Sequence, residues 1–372
     1  MTKSSGTILD GGSRPEGRGA GTEPRSVRAW RRPLDLRQGR VDLSHGAGGR
    51  AMAQLIADIF HEALDNDWLR RGNDQAAFEV QEGRLVMTTD AYVISPIFFP
   101  GGDIGSLSVH GTINDIAMAG AQPRYLSASF ILEEGFALAD LKRIADSMGA
   151  AARAAGVAVI TGDTKVVERG KGDGVFISTT GIGVVPAGIE VSVERVRPGD
   201  RLIVSGSMGD HGVAVMSRRH DLKFETETVS DSAPLHELVA AMVAAGGQDL
   251  HAMRDPTRGG LASTLNEIAQ QAGVGIRLEE EAIPVVPAVT AACELLGLDP
   301  LYVANEGKLV AFVAPRSAAA VLAAMRAHSL GRDAALIGQA VADEHRFVQM
   351  RTAFGGERIV DWLAGEQLPR IC

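Results

Sequence analysis

From about residue 41 to about residue 341 the chain alternates segments carrying helix-spaced apolar residues with short β-rich runs, which restricts it to α/β layers. Met52, Leu55, Ile56, Ile59, Phe60 and Ala63 fall on one face of a predicted helix. Arg84 to Thr89 reads as a strand ending in Asp90. A helix over 138–155 precedes a strand Val157 to Ile160, which ends in Thr161-Gly162-Asp163-Thr164-Lys165. A strand Val175 to Thr180 closes the first half. The turn Arg197-Pro198-Gly199-Asp200 opens a second half into a strand Leu202 to Ser205. With 372 residues, two domains fit comfortably. The expected division is 41–195, 196–345 and a C-terminal segment and tail over 346–372. Residues 1–40 lack apolar periodicity and are rich in Gly, Arg, Ser and Pro, so they are expected to form a disordered basic extension.

The formal net charge of −9 makes nucleic acid and anionic membrane poor partners. No run is long and apolar enough to span a bilayer, and the arginine-bearing N-terminus has no apolar core segment of a secretory signal. Two cysteines rule out a disulfide framework or a thiolate zinc cluster, and a reducing cytoplasm is the expected setting. Cys293 lies in an apolar helical stretch and reads as a small core residue. Cys372 is the last residue, where a side chain is usually mobile and has no packing role, so its presence is an anomaly.

The chain has no G-x-x-x-x-G-K-[ST], G-x-G-x-x-G, H-E-x-x-H or G-x-S-x-G sequence. Instead, aspartates recur at strand ends and glycine loops: Asp90, Asp103, Asp115, Asp163 and Asp255. Each alone is most simply a helix or turn cap, but five together are expected to converge on a hard divalent cation such as Mg²⁺, which takes oxygen ligands. The loop His45-Gly46-Ala47-Gly48-Gly49 leads into a helix, whose free N–H groups favour phosphate. Arg258-Gly259-Gly260 follows the same logic, with Arg258 able to fork onto a phosphate. Lys165 beside Asp163 reads equally as a solvated strand-end lysine. Glu306, on a turn before the strand Leu309 to Val313, cannot be lifted above an ordinary exposed residue by sequence alone. His110, His211 and His251 show no ligand spacing and are taken as surface or hydrogen-bonded residues.

Taken in order, these loops resemble the aminoimidazole ribonucleotide synthetase (PurM-like) superfamily, and within it the carbamoyl dehydratase family of hydrogenase maturation. The residues carrying the resemblance are Leu43 to Gly49, Thr89 to Val93, Phe98 to Gly105, Ile131 to Gly135, Thr161 to Val167, Gly209 to Gly212, Asp255 to Gly260, Ala304 to Lys308 and Pro369-Arg370-Ile371-Cys372. Ala91 stands where a serine is common, and the first 40 residues have no counterpart. The resemblance implies two PurM-like domains, each a mixed sheet covered by helices, followed by a flexible tail. It implies ATP bound by His45, Gly46, Gly48, Gly49, Asp90, Asp115, Asp163, Thr164, Arg258, Gly259 and Gly260, with Mg²⁺ on Asp90, Asp115, Asp163 and Asp255. It implies catalysis by Cys372, Glu306 and Lys165: the cysteine carries a carbamoyl group, ATP activates its oxygen, and positioned bases remove the N–H protons, leaving a thiocyanate. The implied partners are a carbamoyltransferase (HypF type), an iron-carrying complex (HypC–HypD type) and a second copy of the chain, with first-half strands pairing across a homodimer.

Two rivals differ in testable ways. Another ATP-dependent member of the superfamily, such as a selenophosphate synthetase or thiamine monophosphate kinase, has no use for a terminal cysteine. A non-catalytic maturation scaffold has no use for an intact set of Asp90, Asp115, Asp163, Lys165 and Glu306.

Overall fold

The computed structural model describes residues 34–73, 75–79, 82–220, 228–363 and 370–372. The extension expected over 1–40 therefore lies outside the described residues up to position 33. From Asp35 onward the chain belongs to one compact unit. Order begins earlier than the expected Val41, because Asp35 caps a turn and Arg40 bridges to Ala137.

The amphipathic segment after the first glycine loop is helical throughout. It comprises α1 (Arg50–Leu55), a π turn (Ile56–His61) and α2 (Glu62–Leu64), with α3 (Asp67–Arg70) next. Leu55, Ile59, Phe60 and Ala63 are buried, as their spacing requires. Strand β1 (Arg84–Tyr92) is followed by the hairpin β2 (Phe98–Phe99) and β3 (Gly102–Asp103), then α4 (Ile104–Met118), β4 (Gln122–Glu133), α5 (Leu138–Ala154), β5 (Ala158–Val167) and β6 (Val175–Val185). The long strands form a sheet in the order β1-β6-β4-β5, antiparallel except for the β4–β5 pair. Among the described residues, helices cover one face only, through Leu107, Ile113 and Ile116 of α4 and Leu141, Ile144 and Met148 of α5. The other face exposes Leu85, Met87 and Ile131.

The second half holds β7 (Arg201–Val204), α6 (Asp210–Arg219), α7 (His236–Gly246), β8 (Leu250–Arg254), α8 (Gly260–Ala272), β9 (Gly275–Glu279), α9 (Pro287–Leu296), β10 (Val310–Val313), α10 (Pro315–Ala327), β11 (Ala335–Val341), β12 (Val348–Arg351) and β13 (Glu357–Ile359). Its sheet runs β13-β12-β9-β11-β7-β10-β8. Here both faces are covered, which explains the unbroken apolar runs of β7 and β10. Leu202, Val204, Val310 and Phe312 pack with Leu261, Leu265 and Ile268 of α8, whereas Ile203, Ala311 and Val313 pack with α7 and α10. Cys293 is buried with Val213, Val289 and Val303, the core role expected of it. Helix α4 joins the two halves, since Ala117 and Met118 at its end pack into the α7–α10 layer.

Candidate active site

Side chains alternate along β1, so Thr88, Asp90 and Tyr92 face α4. Thr88 Oγ1 donates to Asp115 Oδ2 on that helix at 2.7 Å, and Thr112 Oγ1 and the Tyr92 hydroxyl each donate to Asp90 Oδ2 at 3.2 Å. The facing wall comes from the second half: Asp255 lies in the loop between β8 and α8, and Glu306 in the loop before β10.

These carboxylates form one electrostatic group. Burial, reinforced by the Asp115 and Asp90 charges, pushes Asp255 up to about 7. Burial and Asp90 raise Asp115 in the same way. Glu306 is 3% exposed. Burial, then Asp255, Asp231, Asp90 and Asp115, hold its carboxyl well above the usual range. Its Oε1 has no hydrogen-bond partner among the described residues. Raised oxygen-only carboxylates are the donor set that a hard cation such as Mg²⁺ prefers. Among the described residues, however, no three His, Cys, Asp or Glu side chains are grouped closely enough to hold an ion as they stand.

The turn that carries Glu306 is fixed from three directions. Asn114 of α4 donates through Nδ2 to the carbonyls of Glu306 and Ala233, both at 3.1 Å, and accepts from Leu235 N–H at 2.8 Å. Asn305 donates to the carbonyls of Pro256 and Val303 at 3.0 Å and accepts from Gly209 N–H at 2.7 Å, tying the Glu306 turn to the Asp255 loop. Asp231 accepts the Glu306 N–H at 3.0 Å and pairs with Lys308 Nζ at 3.2 Å. A Cβ on Gly307 would stand 1.8 Å from the Asp231 carbonyl oxygen, so this position tolerates glycine alone.

The last three residues are docked into this pocket. Val93 N–H donates to the Cys372 carbonyl and Ser95 N–H to that of Arg370, both at 3.1 Å. Burial, then the Glu306 charge, drives the Cys372 thiol far above its usual range, with Arg258 opposing and Asp90 and Asp255 adding to the shift. Arg258 is exposed at the head of α8. Gly259 (φ +75°) and Gly260 (φ +59°) take left-handed conformations there, and a Cβ on Gly260 would meet the Leu301 and Val303 carbonyls at 2.6 and 2.7 Å.

The remaining expected residues gather elsewhere. His45 sits in a 3-10 turn, its Nδ1 accepting from Asp42 N–H at 3.0 Å. Gly46 follows so tightly against β5 that a Cβ would lie 2.8 Å from Val166 N. Gly48 (φ +75°) and Gly49 open into α1. On β5, Lys165 Nζ lies 2.6 Å from Asp163 Oδ2, and Asp163 Oδ1 accepts from Thr164 N–H at 2.8 Å. An apolar cleft lined by Met52, Ile56, Phe60 and Phe130 adjoins Asp163 and Thr164.

The structure thus divides the expected set. Cys372, Glu306, Asp90, Asp115, Asp255 and Arg258 meet in one pocket. His45, Gly46, Gly48, Gly49, Asp163, Thr164 and Lys165 stand at the opposite edge of the first sheet, because β6 and β4 separate β1 from β5. Three inter-strand steps amount to about 14 Å. Within one chain Asp163 therefore does not join Asp90, and Lys165 does not join Glu306. Two further readings are corrected. Asp103 is not part of the acidic group, since its Oδ1 caps α4 by accepting from Gly105 and Ser106 N–H. Asp90 and Asp163 do not end their strands, because β1 runs on to Tyr92 and β5 to Val167. His211 is buried and hydrogen-bonded, the second of the two roles expected for it, and sequence reasoning gave no part in the site to it, Asn114, Asp231 or Lys308. The available signal was the adjacent polar pair Asn114-Asp115 near the end of a helix that also carries Ser108, His110 and Thr112.

Known proteins resemble this chain over most of its length. Residues 72–185 match the AIR synthase related protein N-terminal domain, and 197–351 its C-terminal domain. The carbamoyl dehydratase HypE of Bradyrhizobium diazoefficiens is 73% identical over 93% of this chain and 100% of its own length. The crystal structure of a hydrogenase maturation protein HypE in complex with ATP superposes with a TM-score of 0.85 at 50% identity, covering 89% of this chain and 99% of that one. A HypE–HypF complex superposes with a TM-score of 0.73 at 46% identity, over 83% and 99%.

Proposed function

Because this chain belongs to the carbamoyl dehydratase HypE family of hydrogenase maturation, we propose that it carries a carbamoyl group on the Cys372 thiol and dehydrates it to a thiocyanate with ATP, providing cyanide for the iron of a nickel–iron hydrogenase. The observation that carries this reading is the docked tail, which sets Cys372 beside the buried Glu306 in a pocket of carboxylates.

Bound ATP supplies the phosphoryl group that turns the carbamoyl oxygen into a leaving group. Each turnover removes that oxygen as phosphate and both protons from the nitrogen. Glu306 is placed to accept one of them. Burial and the neighbouring carboxylates favour its protonated form. Positive charge brought beside Asp90 and Asp255 favours its ionised form, whose unpartnered Oε1 is then free to take the proton. Asp90, Asp115 and Asp255 are the residues that would hold Mg²⁺. The free N–H groups at the heads of α1 and α8, with Arg258, would bind phosphate oxygens.

His45, Asp163, Thr164 and Lys165 fit the same scheme if they come from a second copy of the chain. The bare sheet face, with Met87 70% and Leu85 51% exposed, supports a homodimer in which that face is covered. The apolar cleft beside Asp163 then suits an adenine ring. The carbamoyl donor is a HypF-type transferase and the cyanide acceptor an iron-carrying HypC–HypD-type complex, all in the cytoplasm. The two PurM-like domains divide near residue 195, between the matched segments ending at 185 and starting at 197.

Intact mass tests the reading. Wild type incubated with the transferase, carbamoyl phosphate and ATP should gain a carbamoyl adduct that then loses one water, and Cys372→Ala should show neither. A wild-type chain that never gains the adduct would reject it.

A further inference from the structure

The pocket receives the tail through main-chain groups, and the side chains that do so come from one helix. The carbonyls of Arg370, Ile371 and Cys372 all accept hydrogen bonds. Val93 and Ser95 N–H supply two, so the tail lies antiparallel to the segment after β1, as an added strand does. Helix α6 supplies the others. Arg219 Nη2 donates to the Arg370 carbonyl at 2.8 Å while its Nε donates to the Ser95 carbonyl at 2.8 Å, so one guanidinium clamps both strands of the pair. His211 Nε2 lies 2.8 Å from the Ile371 carbonyl.

The His211 ring has its tautomer set by its neighbours. The Ile371 carbonyl can only accept, so the ring hydrogen sits on Nε2 and points at the tail. Nδ1 is then left to accept from Ser230 Oγ, 2.8 Å away, which itself accepts from Ser232 N–H at 3.1 Å. Phe99 holds the ring edge-on at 5.4 Å between centroids, and His211 is 0% exposed, so it has one orientation. Arg370 takes a left-handed conformation (φ +55°), which a non-glycine residue keeps only when its surroundings impose it. Its doubly held carbonyl and the ion pair of its side chain with Asp173 are those surroundings. Among the described tail residues 370–372, Ile371, 3% exposed, is the one whose side chain is fully sunk into the protein.

We propose that Arg219 and His211 are positioning residues of α6 that latch the Arg370 and Ile371 carbonyls and thereby set the Cys372 sulfur against Glu306. The latch rests on the functional reading only in what docking is for; the docking itself is separately measurable. Because it grips the backbone, it holds the tail whether or not the thiol is modified. It also has to open for the tail to reach a carbamoyltransferase.

The test is the rate at which iodoacetamide alkylates Cys372, followed by peptide mass, with buried Cys293 as an internal report on general loosening. Arg219→Ala is expected to label Cys372 about fivefold faster or more while Cys293 stays slow, as for a locally released segment. Arg219→Lys, which can restore one of the two bonds, is expected to fall between, and His211→Leu to behave like Arg219→Ala. In the same order, conversion of the carbamoyl adduct to thiocyanate should slow. Equal Cys372 labelling in wild type and Arg219→Ala overturns the latch, and so does Cys293 labelling that rises in step with Cys372. If wild type takes up no carbamoyl group, the functional reading fails and the labelling rates still decide the latch.

Discussion

Glu306 is useful to chemistry because the protein makes it an unstable anion. Its carboxyl is buried among Asp255, Asp231, Asp90 and Asp115, and its backbone is pinned by Asn114 and Asp231. Glu306→Gln has nearly the same shape and mimics the protonated form that burial favours. It should therefore fold with unchanged thermal stability and still accept the carbamoyl group on Cys372. Conversion to thiocyanate in a single turnover should fall by roughly 10²-fold or more, the usual contribution of a positioned base. A Gln variant that converts the adduct at the wild-type rate would remove Glu306 from the reaction. Sequence could not place Glu306 above an exposed turn residue, because its burial is created by Asn114 and Asp231 from distant segments.

At the scale of elements, glycine loops differ in why they need glycine. Gly260 starts α8 with φ +59° and with carbonyls 2.6 Å from any Cβ, whereas Gly48 has φ +75° and open space around it. Gly48→Ala should cost about 1–2 kcal/mol, the backbone strain alone. Gly260→Ala must displace the head of α8 and should cost clearly more, along with phosphate binding at Arg258. Urea unfolding of the two variants separates them. Helix α4 carries a pH-dependent term of its own. Burial, with nearby His236, pushes His110 down to about 4, so the folded state holds it neutral where an unfolded chain would protonate it. Between about pH 6.5 and pH 4 the unfolded state binds the extra proton, so stability falls on acidification and is whole above that window. Wild type should lose up to about 3 kcal/mol more than His110→Gln over that range, read from urea midpoints against pH. The loops and their helices were legible in the sequence because their cause is local: a glycine, a cap, a period of apolar residues. The same local logic explains why Asp103 misled, since a capping aspartate and a ligating one look alike along the chain. Strand order was not legible. Nothing in consecutive residues says that β6 and β4 fall between Asp90 and Asp163.

That strand order sets the question for the whole molecule. Glu306 and Cys372 lie at the β1 edge, Lys165 and Asp163 on β5 at the other, and the face between them carries exposed Leu85, Met87 and Ile131. A twofold dimer through this face would bring the β5 edge of one copy to the β1 edge of its partner, completing two sites at once. Met87→Glu, which puts a charge in the middle of that face, should yield monomers by light scattering and lose thiocyanate formation together with the dimer. A complementation experiment is sharper, because it asks which chain supplies which residue. Glu306→Gln and Lys165→Ala should each be inactive alone. Unfolded together and refolded, half of the dimers formed are mixed. In each mixed dimer one site carries both substitutions and the other carries neither. Roughly a quarter of the wild-type sites should then return. If Lys165 instead served the pocket of its own chain, every site in the mixture would contain one substitution and no activity would reappear.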